Sequence, residues 1–309
     1  HFNDPIAIQT TAVNDITAVI DGGEYSISEA ISNITKKVTP DLVGLFTTGL
    51  TETKGDDIKG ASLLLQDKQT IVYVHTPDFE GGLESGWSLS VQGMIAQLII
   101  PQTKTRKDKV LLIPNVNLSP IEVEKLKEAL ELCDLDVYAL PDLSDSLDGH
   151  LGVKQGSLSS GGISVEAIKA LGDAGLVITI GRSVKKCGEL FLEKNAQTTH
   201  LHFDSVMGLE ASDAFYGKIL AYCGLKKPHS SIQRWRSRLQ DTLLDTHFSL
   251  GKAKVIIADD DREIHTLTKM ILKSFQFEGK SLTFIDTYSG QETMEALAQN
   301  PDTAVLFLD

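Results

Sequence analysis

Carboxylates stand at the ends of two apolar segments near the end of the sequence. Asp259, Asp260 and Asp261 follow "KVIIA", and Asp309 follows "TAVLFL". Carboxylate oxygens at strand ends can hold Mg²⁺. Such a cation offsets the charge of a phosphoryl group while one carboxylate attacks it. The spacing predicts a Mg²⁺ site on Asp259, Asp260 and Asp309, with Asp309 as the phosphoacceptor, and three solvated turn acids are the alternative.

A second polar stretch, "TTGLTETKGDD" at residues 47–57, follows the apolar segment "DLVGLF". Open α/β sheets place their sites at the carboxyl ends of strands, where Thr47 and Gly49 could offer a hydroxyl group and a close backbone approach. Asp56 and Asp57 begin the next predicted helix, where carboxylates favour the positive end of the helix dipole. Two acids at that position argue against a phosphate cradle, because they would repel the phosphate. From these residues alone, a structural turn and a functional loop are both open.

The remaining reactive residue types show no recognisable spacing. Cys133, Cys187 and Cys223 form no CxxC pair, which argues against a disulfide framework and against a self-contained zinc or iron–sulfur site. His200 and His202 alternate along an apolar segment, as ordinary strand histidines do. The sequence therefore predicts no set of catalytic residues.

Short apolar segments alternate with amphipathic ones along the chain, a pattern that predicts an α/β fold with parallel sheets covered by helices. Two capping-box spacings predict helix starts, Ser26 with Glu29 and Ser119 with Glu122. A polar stretch at 101–109 interrupts the pattern. We expect three domains: residues 1–103, residues 104–250 with a connecting helix, and residues 251–309.

The composition is that of a globular protein. With 309 residues, 41% of them hydrophobic, the chain can bury cores for two or three domains. Its net charge of −13 disfavours nucleic acid and anionic membrane surfaces as partners. Because no apolar run reaches the roughly 18 residues of a membrane span and no signal peptide is recognisable, we expect a cytoplasmic protein. The start at His1 and the end on "VLFLD" predict a fragment.

Six motifs between residues 1 and 250 together resemble one family. They are "HFNDPIAIQTTAV", "GLFTTGLTETKGDDIKG", "HTPDFEGGLESGW", "LSDSLDGH", "FDSVMGLEASDAF" and "RSRLQDTLLDTHF". On these motifs, residues 1–250 are similar to the nitrogenase component 1 family, and most similar to the N-type subunit of the scaffold on which the iron–molybdenum cofactor matures. The resemblance implies Rossmann-like parallel α/β domains, and reductases of chlorophyll synthesis with the same architecture are a minor alternative.

This resemblance implies a scaffold subunit without an independent enzymatic activity. Such a subunit pairs with a homologous E-type subunit in a heterotetramer, holds a precursor of the iron–molybdenum cofactor at the interface, and docks the nitrogenase iron protein. In the catalytic beta subunit of the family, the position of Gly49 is a cysteine that ligates a bridging iron–sulfur cluster. Glycine has no ligand atom, which disfavours a catalytic beta subunit. A scaffold's own cluster cysteine would lie upstream of His1.

Residues 252–309 resemble a different family, the receiver domains of two-component response regulators, which have a flavodoxin-like fold. That resemblance assigns Asp259 and Asp260 as the acidic pair and Asp309 as the phosphoacceptor, and a histidine kinase would be the partner of a complete receiver. The segment matches only the first half of a receiver, without the later Ser/Thr and Lys, so we expect no phosphoryl transfer. A phosphorelay protein is the alternative function, and a truncated fusion, a misassembled gene and a real recombinant all fit the junction.

Overall fold

The structure is a computed structural model that describes residues 8, 10, 23–55, 57–144, 161–250, 254–277 and 280–309. The predicted strand in the motif that begins at His1 lies outside these residues, except for Ile8 and Thr10. The chain divides into two compact units, His1–His229 and Ser230–Asp309. None of the described helices is both long enough and apolar enough to cross a membrane.

The first unit alternates strands and helices as the sequence predicts. Its elements, which include short 3₁₀ turns on either side of β5, are α1 (Gly23–Thr35), β1 (Val43–Phe46), α2 (Gly49–Lys54), α3 (Ile58–Leu65), β2 (Ile71–Val74), α4 (Leu83–Leu98), β3 (Arg106–Pro114), α5 (Pro120–Glu131), β4 (Asp136–Ala139), α6 (Val165–Lys169), β5 (Ala174–Ile180), α7 (Lys185–Lys194), β6 (Thr199–Phe203) and α8 (Gly208–Cys223).

Helix starts show where local sequence decides structure and where it does not. Helix α5 begins at Pro120, and the Glu122 carboxylate accepts hydrogen bonds from the Ser119 amide at 2.8 Å and from its hydroxyl at 2.6 Å, so that predicted start is confirmed. The start predicted at Ser26 is wrong, because α1 already begins at Gly23. Ser/Glu spacing also occurs inside helices, where it caps nothing.

Two parallel sheets organise the first unit. Strands β1 and β2 pair in one sheet, and the other has the order β4-β3-β5-β6. All seven residues of β5 are buried, as expected of a central parallel strand covered on both faces. In the four-stranded sheet, the first strand along the chain, β3, has the second strand, β4, on one side and the third, β5, on the other. Because crossovers between parallel strands are right-handed, this order requires connecting helices on both faces of the sheet.

One apolar core joins the two sheets of the first unit. It contains Val91 and Ile95 of α4 together with Leu111 of β3, Val177 of β5 and Phe191 of α7. Residues on both sides of position 103 therefore share one core. The boundary expected near 103 separates the two sheets, and as a domain boundary it stays a prediction.

The second unit begins with a long helix and continues as a small parallel sheet. Its sheet has the order β10-β7-β11, in which β7 pairs in parallel with both neighbours. The first three strands of the four-stranded sheet have the same arrangement: in both sheets the first strand along the chain lies between the second and the third. The elements of the unit are α9 (Ser230–Leu250), β7 (Lys254–Ala258), α10 (Arg262–Leu272), β8 (Gln276–Phe277), β9 (Lys280–Ser281), β10 (Thr283–Thr287), α11 (Gly290–Gln299) and β11 (Thr303–Leu308).

Candidate functional site

The loops after β1 and β2 form the candidate site of the first unit. The two strands are parallel and in register, with Phe46 opposite Val74, so the segments that follow them emerge at the same edge of the sheet. The first segment, predicted as a loop, contains the short helix α2. Gly55, in the left-handed conformation with φ 77°, ends that helix. Asp57 caps α3 by accepting the Gly60 amide at 2.8 Å.

Gly49 is the first residue of α2, and its surroundings leave no room for a side chain. Its amide donates to Asp78 Oδ1 at 2.8 Å. A Cβ atom at position 49 would lie 2.0 Å from that oxygen and 2.9 Å from Cδ1 of Phe79. The Asp78 carboxylate therefore occupies the volume that a side chain at position 49 would need.

Beside Gly49, a carboxylate links the two loops. Glu52 Oε1 accepts hydrogen bonds from Thr47 Oγ1 at 2.5 Å and from His75 Nδ1 at 2.6 Å. Thr47 Oγ1 in turn accepts the Thr76 amide at 2.8 Å. The hydrogen bond from Thr47, followed by that from His75, lowers the pKa of Glu52. An ionised Glu52 favours the form of His75 that carries a proton on Nδ1, and the His75 side chain is 54% exposed.

Exposed apolar side chains and exposed acids occur together in the segments at this edge. Leu50 is 61% exposed, Phe79 68% and Leu83 74%. Glu80 and Glu84 are exposed in the same segment as Phe79 and Leu83. We call Leu50, Phe79 and Leu83 the loop patch. Large exposed apolar groups rimmed by polar residues are typical of protein interaction surfaces.

The predicted acidic trio comes together at the carboxyl edge of the second sheet. Oxygens of Asp259, Asp260 and Asp309 all lie within 4.8 Å of one another. They do so because β7 and β11 are adjacent and parallel, with Leu308 opposite Ala258. Among the described residues this is the one group of three or more His, Cys, Asp or Glu side chains close enough to share an ion. The cation itself stays a prediction.

A buried histidine supports the backbone of this trio. His265 Nε2 lies 2.8 Å from the Asp259 carbonyl oxygen, and Nδ1 lies 2.8 Å from Asp286 Oδ1. Both partners offer acceptor oxygens, an arrangement that favours the imidazolium form of the ring. Burial lowers the pKa of His265, but these two hydrogen bonds outweigh it and raise the pKa overall.

The three cysteines and the strand histidines His200 and His202 lie in the framework of the first unit. Burial raises the pKa values of the Cys133 and Cys187 thiols, which keeps both groups protonated. His200 Nε2 and His202 Nδ1 each lie 2.9 Å from Oγ1 of the fully buried Thr179. The interpretation of these two residues as strand histidines agrees with this packing.

The family model described as nitrogenase component 1 type oxidoreductase matches residues 1–297. The chain belongs to the nitrogenase component 1 family. This match runs through most of the segment that resembles a receiver, and the comparisons give no support to a receiver domain. The strand order of the second unit does not distinguish a receiver from a further nitrogenase-type domain, because the first three strands of the four-stranded sheet in the first unit have the same order.

The curated relatives of this family member share one description. The chain is 34% identical over 270 residues to the nitrogenase iron-molybdenum cofactor biosynthesis protein NifN of Rhodobacter capsulatus, which covers 84% of the chain and 58% of the relative. It is 35% identical over 280 residues to NifN of Bradyrhizobium diazoefficiens, covering 88% of the chain and 59% of the relative. The chain thus spans about three fifths of the length of these relatives.

Solved nitrogenase structures show the same fold. The chain of a structure titled "Nitrogenase Cp1 at pH 6.5" superimposes with a TM-score of 0.76 at 25% identity, covering 99% of this chain and 68% of that one. A second structure, "Nitrogenase Cp1 at pH 5", gives a TM-score of 0.53 at 16% identity, over 92% of this chain and 58% of that one. The predicted α/β fold with parallel sheets of the nitrogenase type is confirmed.

Proposed function

We propose that the protein is the N-type subunit of a scaffold on which the iron–molybdenum cofactor of nitrogenase is assembled. It pairs with a homologous E-type subunit in a heterotetramer, and a cofactor precursor is held at their interface. The observation that carries this proposal is the match to relatives named for biosynthesis of that cofactor, at 34% and 35% identity over most of the chain.

The surroundings of Gly49 support a scaffold over a catalytic subunit. The resemblance implies a cluster-ligating cysteine at this position in the catalytic beta subunit. Here the residue has no ligand atom, and the Asp78 carboxylate fills the space beside it. A thiolate at position 49 would require Asp78 to move. This edge is therefore built without a metal ligand from position 49.

The described residues do not fit an iron–sulfur cluster by themselves. Such clusters are held by thiolates, whereas Cys133 and Cys187 are buried and protonated within the first unit. None of the three cysteines belongs to a group of possible metal ligands in the described part of the chain. The cluster of the proposed complex takes its ligands from the partner or from outside the described residues.

The loop patch is the proposed docking site for the nitrogenase iron protein as electron donor. Leu50, Phe79 and Leu83 supply an apolar centre, and the acidic residues of the same loops suit a partner with a basic rim. Phe79→Asp should weaken this association about tenfold or more, because an aromatic side chain that becomes buried on binding contributes strongly to affinity. The chain should stay folded, because Phe79 is exposed in it. Ile121→Asp, an exposed apolar site on α5, is the control. Equal effects of both variants on the dissociation constant would remove the patch from the proposal.

Co-production with an E-type subunit tests the proposal as a whole. We expect a complex that elutes at the size of a heterotetramer and contains iron and acid-labile sulfide. A monomer free of iron, in the presence of a folded E-type subunit, would count against the scaffold function.

A Mg²⁺ site on Asp259, Asp260 and Asp309 is a second, separate candidate, with Asp309 as phosphoacceptor. The convergence of the three carboxylates favours it, and hard oxygen ligands suit Mg²⁺. Titration with Mg²⁺ should raise the melting temperature of the wild-type chain, and Asp309→Asn should remove most of that increase. Incubation with acetyl phosphate tests Asp309 as phosphoacceptor separately, and we expect no label because the segment matches only the first half of a receiver. Equal Mg²⁺ responses of both chains would dismiss the Mg²⁺ site.

A further inference from the structure

Two histidines of strand β6 share one hydroxyl group of strand β5. His200 and His202 project from the same face of their strand, and Thr179 lies opposite His202 in the neighbouring strand. His200 Nε2 and His202 Nδ1 each lie 2.9 Å from Oγ1 of Thr179, which is fully buried. A hydroxyl group has one proton and donates it to only one of the two rings. The other ring therefore donates to the Thr179 oxygen.

An exposed carboxylate at the carboxyl edge sets the direction of these hydrogen bonds. His202 Nε2 lies 2.9 Å from Asp204 Oδ1, and Arg182 Nε donates at 3.0 Å to Asp204 Oδ2. The hydrogen bond from His202, followed by that from Arg182, lowers the pKa of Asp204. An ionised carboxylate only accepts, so this contact favours a proton on His202 Nε2. Nδ1 of a neutral His202 then accepts the Thr179 proton, and His200 donates from Nε2.

Uptake of a proton by His202 reverses this direction. A protonated His202 carries a second N–H group on Nδ1, which donates to the Thr179 oxygen. The Thr179 proton then points to His200 Nε2, which accepts it only when His200 carries its own proton on Nδ1. One proton is gained in total. It enters at His200 Nδ1, the His200 Nε2 proton passes to Thr179, and the Thr179 proton passes to His202 Nδ1.

The surroundings of the two rings decide which of them becomes charged. Burial, and after it the nearby His202, lowers the pKa of His200. The charged side chains that face His200 from α7 oppose each other, because Glu189 raises this pKa and Lys185 lowers it. His202 instead lies beside the Asp204 carboxylate. A proton taken up by the pair therefore charges His202 before His200.

We propose that the two histidines and Thr179 form a relay that carries one proton to the carboxyl edge beside Asp204. We call His200, Thr179 and His202 the Thr179 relay. It makes this edge sensitive to pH and connects it to helix α7, on which the His200 ring packs. A Cβ atom at Gly188 of that helix would lie 2.1 Å from His200 Nε2. The tautomer of His200 thus reports the charge of His202.

Long-range ¹H–¹⁵N NMR spectra of the intact chain, labelled with ¹⁵N-histidine, show which ring nitrogens carry protons. His200→Gln and His202→Gln assign the two rings among the eight histidines. Histidines change charge between about pH 8 and 5. In this range we expect His200 to change from the Nε2–H to the Nδ1–H tautomer, at the same midpoint at which His202 gains its proton. A His200 ring that keeps one tautomer while His202 titrates would overturn the proposal.

Variants at Thr179 test whether its hydroxyl group carries the coupling. Thr179→Ser keeps a hydroxyl group and should keep the common midpoint. Thr179→Val removes it, so the tautomer of His200 should no longer follow the protonation of His202. A common midpoint that persists in Thr179→Val would contradict the relay.

Asp204→Ala tests the direction of the relay at an exposed position, where the chain should stay folded. Asp204 is 56% exposed and Arg182 85%. Without the carboxylate, a neutral His202 can carry its proton on Nδ1, so His200 should lose part of its Nε2–H signal at about pH 8. Arg182→Ala is the matched control, because it leaves the contact between His202 and Asp204 in place and should leave that signal unchanged. Equal spectra of His200 in the two variants would overturn the proposal.

Discussion

Replacing Gly49 by alanine tests whether Asp78 occupies the side-chain volume at this position. The new Cβ atom would lie 2.0 Å from Asp78 Oδ1 and 2.9 Å from Phe79 Cδ1. We expect Asp78 to rotate away and to release the Gly49 amide. The loss of such a helix cap costs about 1 kcal/mol, and displacing the Phe79 ring costs roughly another 1 kcal/mol.

Part of this cost is offset by the alanine itself. Alanine is favoured over glycine in a helix by about 0.5–1 kcal/mol, which leaves a net destabilisation of about 1 kcal/mol. Gly86→Ala in α4 is the matched control, because nothing lies within 4 Å of its added Cβ atom. That variant should gain about 0.5–1 kcal/mol. The two substitutions should therefore differ in sign.

Urea unfolding followed by tryptophan fluorescence measures both variants. The chain has two tryptophans, so a Trp235→Phe background leaves Trp87, whose Nε1 donates to the Pro114 carbonyl oxygen at 3.0 Å in the first unit. In a chain that already carries Asp78→Ala, the cap is absent, and Gly49→Ala should cost about 1 kcal/mol less. An undiminished cost in that background, or no cost in either, would refute the reasoning.

Three further predictions concern the framework. Thr179→Val should destabilise the first unit by about 1–3 kcal/mol in urea unfolding, because His200 and His202 both lose their buried partner. Burial, and after it the nearby His202, lowers the pKa of His200 in the folded chain. The contribution of His200 to the free energy of unfolding should therefore be complete above the unfolded-state pKa, and should be lost as the pH falls through the folded-state pKa. In a His200→Gln variant, the free energy of unfolding should depend less on pH between about pH 7 and 5. This range lies around and below the ordinary histidine pKa of about 6.5. Lys109→Ala should cost roughly 1–3 kcal/mol, because the buried Lys109 ammonium donates at 2.7 Å to Asp173, whereas Lys125→Ala, at an exposed ion pair, should leave the free energy of unfolding almost unchanged.

Repetitive local patterns made most of the fold predictable. Apolar segments of strand length separated by amphipathic segments correspond to β1–β6 and their helices, and Pro120 marks the start of α5 as predicted. The meeting of Asp259 with Asp309 was also predictable. Parallel neighbours present their carboxyl ends at one edge, so acids at two such ends come together whenever the strands are adjacent.

Short-range motifs failed where other contacts decide the structure. The capping-box spacing at Ser26 lies inside α1. Local spacing did not reveal that this helix starts at Gly23. The stretch after Thr48 was predicted as a loop and contains helix α2, stabilised in part by the Thr48 amide bonded to Thr51 Oγ1 at 2.8 Å. Threonine and glycine are weak helix formers, so propensity alone disfavours a helix there.

The sequence alone determined the fold class, the absence of a side chain at position 49, and the acids that end β7 and β11, because each depends on residue type or on local periodicity. Only the tertiary structure decided what surrounds them. Asp78 reaches Gly49 across 29 residues of chain, and His75 reaches Glu52 across 23. No local pattern encodes such pairs, since they exist only once β1 and β2 lie side by side and their loops meet at one edge.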